Sequence, residues 1–322
     1  MEINKIYHRN CLGKMGIVRI PDNHIDCILT DPPYLYLKNK KLDRPFDEDL
    51  FFSECKRVLK KEGFIVLFGR GTSFYRWNTS LSNLGFKFKE EIIWDKSYTN
   101  SPVAVLNRIH ETISIHTIKG KINRTKIPYI EMKKENIHSI FMDIKRLSAA
   151  LNNTQALHEL LEFIKNNQKN ISSVQVGNDL SVPLEIVKGD IPSIIRTDKG
   201  KPKAETTTFK AISSTRRIEC DLMQSILFGM CEKSIIKESP NRYTSFHPTQ
   251  KPVRLLERLL ALTTKPGDIV LDPFAGSGST GVACYNTGRN FICYEIDEEY
   301  YNIASARLKE AMRQRKIQFT DK

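Results

Sequence analysis

Apolar residues recur along this chain in two rhythms, and the rhythms alternate. Ile25–Thr30 is a short apolar run of strand length. The spacing of Leu50, Phe51, Glu54 and Val58 predicts a helix over 47–59, left through Lys60-Lys61-Glu62-Gly63. A strand over 64–68, a helix over 73–84 that stops at Gly85, and strands over 91–94 and 112–117 follow. Strands separated by helices of about a dozen residues predict a parallel sheet covered on both faces. The same texture returns after residue 240. Pro252 suits the first turn of a helix carrying Val253, Leu256, Leu259 and Leu260 on one face. The turn Lys265-Pro266-Gly267-Asp268 leads into a strand over 269–271, a glycine-rich loop, a helix to about Thr287 and a strand over 290–294. Tyr300, Ile303, Ala304, Arg307, Leu308, Ala311 and Met312 mark a last helix, with residues 313–322 read as a polar tail.

Between these blocks the pattern weakens. Strand signals are short, polar residues dominate, and the one strong amphipathic helix runs from Ala156 to Ile164. The expected organisation is therefore three segments: 1–120 and 241–322 as halves of one domain, and 121–240 as a smaller inserted domain. No apolar run is long enough to span a bilayer, and the start, Met1-Glu2-Ile3-Asn4-Lys5, lacks a signal-peptide pattern. A cytoplasmic protein that avoids membranes is expected.

Composition sharpens this picture in two ways. The 322 residues carry 50 Lys+Arg against 37 Asp+Glu, a net charge of +13 that suits a polyanionic partner. Residues 121–237 alone hold 19 basic and 13 acidic side chains. Seven cysteines include no C-x-x-C pair, so reduced thiols are expected rather than a zinc site or a disulfide framework, and no metal.

Two loops carry candidate chemistry. The first, Asp272-Pro273-Phe274-Ala275-Gly276-Ser277-Gly278-Ser279-Thr280-Gly281, joins a strand to a helix and contains G-x-G-x-x-G. Glu295 follows about 20 residues on, at the end of the next strand, where a carboxylate can grip a ribose diol. No lysine follows the glycines, so this is not the phosphate-cradling loop of nucleotide triphosphatases. Asp272 opens the loop where a pyrophosphate would meet repulsion, whereas an ammonium or sulfonium would be welcome. S-adenosylmethionine is favoured over a nicotinamide dinucleotide on that ground. The second loop is Asp31-Pro32-Pro33-Tyr34 after the first strand. Asp31 and the Pro32 carbonyl can accept hydrogens from an exocyclic amine, and Tyr34 offers a ring to a planar base.

Together these loops resemble the β class of S-adenosylmethionine-dependent DNA amino-methyltransferases, in which the catalytic motif precedes the cofactor motif. The resemblance extends to His247-Pro248-Thr249-Gln250-Lys251-Pro252, to the stretch from Gly288 to Asp297, and to Asn107-Arg108-Ile109-His110-Glu111-Thr112-Ile113. It implies a Rossmann-like, doubly wound α/β methyltransferase sheet in circularly permuted order, with the insert as target-recognition domain. It implies catalysis by Asp31, Pro32, Pro33 and Tyr34, and cofactor binding by Asn10, Cys11, Asp31, Thr249, Lys251, Asp272, Pro273, Phe274, Gly276, Gly278, Thr280 and Glu295. His247 and Pro248 would shape their loop, His110 and Glu111 would be structural, and Asp297 would cap the last helix. The chain departs from the family at Arg9-Asn10-Cys11-Leu12, where a Gly-Asp pair is usual.

The implied reaction is methyl transfer to N6 of a flipped-out adenine in double-stranded DNA, because Asp rather than Ser stands at position 31. N4-cytosine methylation is the nearest alternative; RNA or protein-amide methylation, a nicotinamide-dependent oxidoreductase and a non-catalytic nucleic-acid-binding protein are more distant ones. A covalent route is disfavoured because none of the cysteines follows a proline. In the insert, Arg196, Lys199, Lys201, Lys203, Arg216 and Arg217 are candidates for DNA contacts. A cognate restriction endonuclease and a second copy of the chain stand as candidate partners.

Overall fold

Alternation at the period of two sends each central strand's side chains to opposite sides of one sheet. In the computed structural model, which describes residues 1–34, 44–97, 105–151, 185–186, 217–240 and 250–320, that sheet has eight strands. Their order is β1 (Lys5–His8), β11 (Asn290–Glu295), β10 (Ile269–Asp272), β2 (Ile25–Thr30), β3 (Leu59–Gly69), β5 (His110–Thr117), β4 (Lys87–Asp95) and β9 (Ile235–Lys237). Cys27, Leu29, Phe64, Val66, Val270, Phe291 and Cys293 point to one face. There they meet α6 (Val253–Thr263), α7 (Ser279–Asn286) and α8 (Glu298–Thr320) through Leu255, Leu259, Cys284, Ala304 and Leu308. Ile28, Ile65, Leu67, Leu271, Ile292 and Tyr294 point to the other, under α1 (Glu48–Val58) and α2 (Gly71–Asn83). Both faces are thus covered, and the fold is the Rossmann-like α/β arrangement expected.

Local chemistry explains the helix ends. Asp47 caps α1 by accepting the Leu50 N–H at 2.9 Å, with Glu48 and Asp49 in the first turn and Lys56 and Arg57 in the last. Leu59 is extended, so Lys60-Lys61-Glu62-Gly63 belongs to β3 rather than to a helix exit. The last helix continues to Thr320 where a tail was expected from residue 313. No Gly or Pro interrupts the sequence there, and Arg, Gln and Lys are good helix formers.

The sheet is mixed rather than wholly parallel. β1, β11, β10, β2 and β3 run parallel, but β5 is antiparallel to both β3 and β4. No helix separates Asp95 from His110 among the described residues, so β4 and β5 pair as a hairpin-like unit. β9 then pairs in parallel with β4, bringing Ile235–Lys237 back into the sheet before residue 240.

The chain divides into two compact units, Met1–Asn123 with Lys233–Lys322, and Arg124–Glu232. The second contains α3 (Tyr129–Lys133), α4 (Ile137–Leu151), α5 (Arg217–Phe228) and a three-stranded sheet ordered β7 (Glu185–Ile186), β6 (Thr125–Ile127), β8 (Met230–Cys231). Its core is small: Ile140, Ile144 and Leu147 on one stripe of α4, with Tyr129 and Leu222. The amphipathic stretch from Ala156 to Ile164 lies outside the described residues. No helix among the described residues is long and apolar enough to cross a membrane.

Candidate active site

Four neighbouring parallel strands, β1, β11, β10 and β2, end along one edge of the sheet. Sheet order alone therefore sets Asn10 and Cys11, Glu295, Asp272 and Asp31 side by side, although the chain separates them widely. From β2 the chain continues to β3 on one side, and from β10 to β11 on the other. The loops after β2 and β10 thus diverge and leave a crevice at the carboxyl ends of the strands, where open α/β sheets bind ligands. A cavity of about 500 Å³ occupies that crevice.

Most of the expected residues line it. Asp31, Pro32, Pro33 and Tyr34 form one wall; Asp272, Pro273, Phe274, Gly276, Thr280 and Glu295 form another, with Asn10, Cys11 and Lys251 closing the ring. Gly278 is not among the lining residues: its φ is +78°, and a Cβ there would lie 2.7 Å from Ala304 Cβ. Its place is a close approach of loop to helix α8. Gly276, with φ +52°, is the glycine that faces open space. Thr249, Arg196, Lys199, Lys201, Lys203 and Arg216 lie outside the described residues, and Arg217 begins α5.

The glycine loop is held by its own backbone and by two buried acids. Glu295 Oε2 accepts the Gly276 N–H at 2.7 Å, and its Oε1 accepts the Asp297 N–H at 2.8 Å. Asp272, 4% exposed, accepts the Phe274 N–H at 3.1 Å. Burial pushes the Asp272 carboxyl up to about 7, and the nearby Asp31 and Glu295 charges act in the same direction. Glu295 is also raised, again chiefly by burial. Asp297 caps α8 through the Glu299 N–H at 3.1 Å. Burial raises the Cys11 thiol to about 12, so it contributes shape rather than a thiolate. The Asn10 side chain is engaged locally, accepting the Leu12 N–H at 3.0 Å.

The other wall is ionic. Lys251 Nζ donates to Asp31 Oδ2 at 2.6 Å, and the Tyr34 hydroxyl donates to Asp31 Oδ1. Tyr34 itself is placed by the Trp77 ring, 6.0 Å away, and by Ser73 Oγ donating to its carbonyl at 2.8 Å. Burial raises the Asp31 carboxyl above its ordinary range despite the opposing pull of Lys251. Desolvation works against the Lys251 ammonium, but Asp31 and Glu111 outweigh it and raise its pKa. Lys251, expected beside a cofactor, lines the cavity, and its amine is bonded to the Asp31 carboxylate.

Several contributors were not assigned a site role from sequence. Glu111 reaches Lys251, Gln250 Oε1 accepts from Ser277 Oγ at 3.3 Å, and Phe46 packs on Phe274 with ring centroids 5.2 Å apart. Arg307 donates to the Ser277 carbonyl at 2.6 Å and to Ser277 Oγ at 2.9 Å. Gln250 and Glu111 sit inside the motifs carrying the resemblance. Arg307 gave a weak signal, an arginine on the apolar stripe of a helix.

The arrangement has the form of a bisubstrate site, with a glycine loop beside a buried carboxylate on one wall and a hydrogen-bond acceptor beside an aromatic ring on the other. Known proteins resemble this chain over most of its length. The chain is 28% identical over 315 residues to the DNA adenine methyltransferase YhdJ of Escherichia coli K12, covering 95% of this chain and 83% of that one. It is 25% identical over 335 residues to the type II methyltransferase M.HinfI of Haemophilus influenzae, covering 96% and 69%. Among solved structures, the M1.HpyAVI–SAM complex matches with a TM-score of 0.51 at 21% identity over 94% of this chain and 99% of that one. The cytosine-N4-specific PvuII DNA methyltransferase matches with a TM-score of 0.53 at 13% identity over 96% and 90%. These two likenesses establish the shared fold. The family model for DNA methylases of the N6/N4 amino-methyltransferase type matches residues 25–306, the span that contains both walls of the cavity, and the chain belongs to that family.

Proposed function

We propose that this chain transfers a methyl group from S-adenosylmethionine to the exocyclic N6 of adenine in double-stranded DNA. The observation that carries the reading is the convergence of Asp31 and Asp272, from the ends of neighbouring strands, on one cavity. Asp272 is a buried carboxylate with no ion pair to a cation among the described residues, and the space beside Gly276 is open. A ligand bearing an ammonium and a ribose suits that wall, with Asp272 facing the positive charge and Glu295 the diol. The chemistry such a ligand supplies is a methyl group on a sulfonium, activated towards an amine. That lack of a counter-charge disfavours a dinucleotide, whose pyrophosphate would meet Asp272.

An amino group conjugated to a purine ring is a poor nucleophile, so the protein must orient it and accept its hydrogen bonds as positive charge develops. Asp31 supplies the acceptor, and the prolines after it have no N–H to compete for the site. With the sulfonium donor bound, methylation would leave the amine nitrogen one proton in excess, and Asp31 is the group proposed to accept it. Tyr34 stacks against a base flipped out of the duplex. Adenine is favoured by Asp at position 31 and by the name of the relative YhdJ. A cognate restriction endonuclease and a homodimer remain part of this proposal.

Single-molecule sequencing of DNA from cells expressing the chain is expected to show N6-methyladenine in a defined sequence context. N4-methylcytosine, or unmodified DNA, would overturn the reading. Asp31→Ala should abolish transfer while sparing cofactor affinity, and Tyr34→Phe should be milder than Tyr34→Ala because the ring survives. Near-normal turnover of Asp31→Ala on duplex DNA would remove Asp31 from the chemistry.

A further inference from the structure

Behind Asp31 runs a row of charges that methyl transfer, as described so far, does not use. Glu111 stands near the start of β5, paired with Trp94 of β4 in the antiparallel register. Its Oε1 accepts from Lys96 Nζ at 3.1 Å, and its Oε2 lies 3.1 Å from Lys251 Nζ. Lys251 Nζ lies 2.6 Å from Asp31 Oδ2. Signs alternate along Lys96, Glu111, Lys251 and Asp31, so the row is neutral as a whole. It is also shielded: the Lys96, Glu111 and Lys251 side chains are 17%, 18% and 9% exposed. The Phe68 and Trp94 rings flank the Lys251 ammonium at 5.1 and 5.8 Å. Charges in such surroundings act on each other far more strongly than at an open surface.

We propose that Glu111 is a positioning residue for methyl transfer, dividing the Lys251 ammonium between two carboxylates so that Asp31 stays fixed yet remains a strong acceptor for the target amine. The inference rests on the reading of Asp31 as that acceptor. Lys251 directs its hydrogen bond to Asp31, whereas Glu111 Oε2 has no directed hydrogen bond and holds the ammonium by charge. With Glu111 neutralised, the ammonium would belong to Asp31 alone. Asp31 would then be a weaker base, and a weaker acceptor draws less from the amine in the transition state. The groups facing Asp31 are Lys251 from the loop before α6, Tyr34 from its own loop, Asp272 from β10 and Glu111 from β5. Burial and the Glu111 charge raise its proton affinity; Lys251 and the Tyr34 hydroxyl lower it. Removing the Glu111 charge therefore lowers the pKa of Asp31.

The test compares Glu111→Gln, Glu111→Asp and Asp31→Ala in the full chain. It uses kcat and KM for duplex DNA as functions of pH, with cofactor affinity from calorimetry. Glu111→Gln should lower kcat roughly 10-fold, less than deletion of a direct transition-state contact, with cofactor affinity unchanged. Its acid limb should move to lower pH by about half a unit, while Glu111→Asp, which keeps the charge, leaves the limb in place. A native kcat and an unmoved limb in Glu111→Gln, with Asp31→Ala inactive, would overturn the inference and leave the acceptor reading standing. Turnover by Asp31→Ala would instead overturn the acceptor reading on which it rests. Loss of cofactor binding and thermal stability together in Glu111→Gln would make Glu111 a structural residue and overturn the inference too.

Discussion

Asp272 illustrates how a binding site costs a fold stability. Its carboxyl, raised to about 7 by burial, ionises less readily in the native chain than in the unfolded one. A carboxyl whose folded pKa lies above its unfolded value supports folding at low pH and loses that support as pH rises through the folded value. The ligand-free protein should therefore gain stability in Asp272→Asn above neutral pH, by an amount on the order of 2–4 kcal/mol. The amide keeps an oxygen for the Phe274 N–H but carries no charge for a cationic ligand. S-adenosylmethionine binding should fall at least 100-fold in the same variant. Thermal melts and calorimetry read the two effects separately; a less stable Asp272→Asn, or one that binds normally, contradicts this account. Gly276 and Gly278 separate the same two quantities. Alanine at 276 meets open space and pays only the left-handed backbone penalty of about 1–2 kcal/mol, yet protrudes toward the cavity. Alanine at 278 suffers that penalty and also collides with Ala304. Gly276→Ala should lose ligand binding in a folded protein, whereas Gly278→Ala should lower the melting temperature more.

The glycine loop owes its shape to elements on both sides. β11 supplies Glu295 beneath it, and α8 supplies Arg307, which bonds the Ser277 carbonyl, Ser277 Oγ and, at 3.2 Å, Ser279 Oγ. Burial lowers the Arg307 guanidinium to about 10, so it stays charged at neutral pH. Arg307→Met preserves the apolar stem and removes all three bonds. Each is worth about 1 kcal/mol net, and the expected result is roughly 10-fold weaker cofactor affinity in a folded chain. Unchanged affinity by calorimetry would show that the loop holds its form without α8. A comparable staple lies at the opposite ends of the strands, where Asp26 of β2 accepts from Lys60 at 2.7 Å and from the Ile269 N–H of β10 at 3.0 Å. That side chain ties together the two strands whose ends carry Asp31 and Asp272.

The unit Arg124–Glu232 interrupts the other unit in sequence and contains all six candidate DNA-contact residues, Arg196, Lys199, Lys201, Lys203, Arg216 and Arg217. A domain of that kind, with its own small core around Tyr129, Ile144 and Leu222, suits the reading of DNA sequence. Exchanging residues 124–232 for the matching segment of a relative with another target should move methylation to the relative's site. A folded chimera that still modifies the original site would assign recognition elsewhere. Binding to duplex DNA should weaken steeply with salt, as phosphate contacts by lysine and arginine release counterions. Arg196, Lys199, Lys201, Lys203 and Arg216 lie outside the described residues, so these contacts are to be sought by mutation.

Much of this was legible in the sequence, because much of it is encoded over short distances. The rhythm of apolar residues in Ile25–Thr30, around Leu255 to Leu260 and along 300–312 reports which face of each element is buried. The two loops announce themselves because proline fixes the backbone at one strand end and glycine frees it for left-handed turns at the other. Other features depended on strands finding neighbours far away in the chain. β5 pairs antiparallel with β3 and β4, with no crossover helix before it among the described residues, and β1 and β9 joined the sheet from segments too short to show a period. Gly278 serves helix packing because Ala304 crosses behind it, a contact that G-x-G-x-x-G does not contain. Lys251 and Glu111 lie 220 and 80 residues from Asp31, and no local pattern states that one ammonium is shared between two acids. Backbone preference and amphipathic spacing are properties of a few adjacent residues, whereas charge sharing is set by strand register and burial. The sequence by itself therefore determined the elements and the kind of chemistry, and only the tertiary structure decided which side chains hold Asp31.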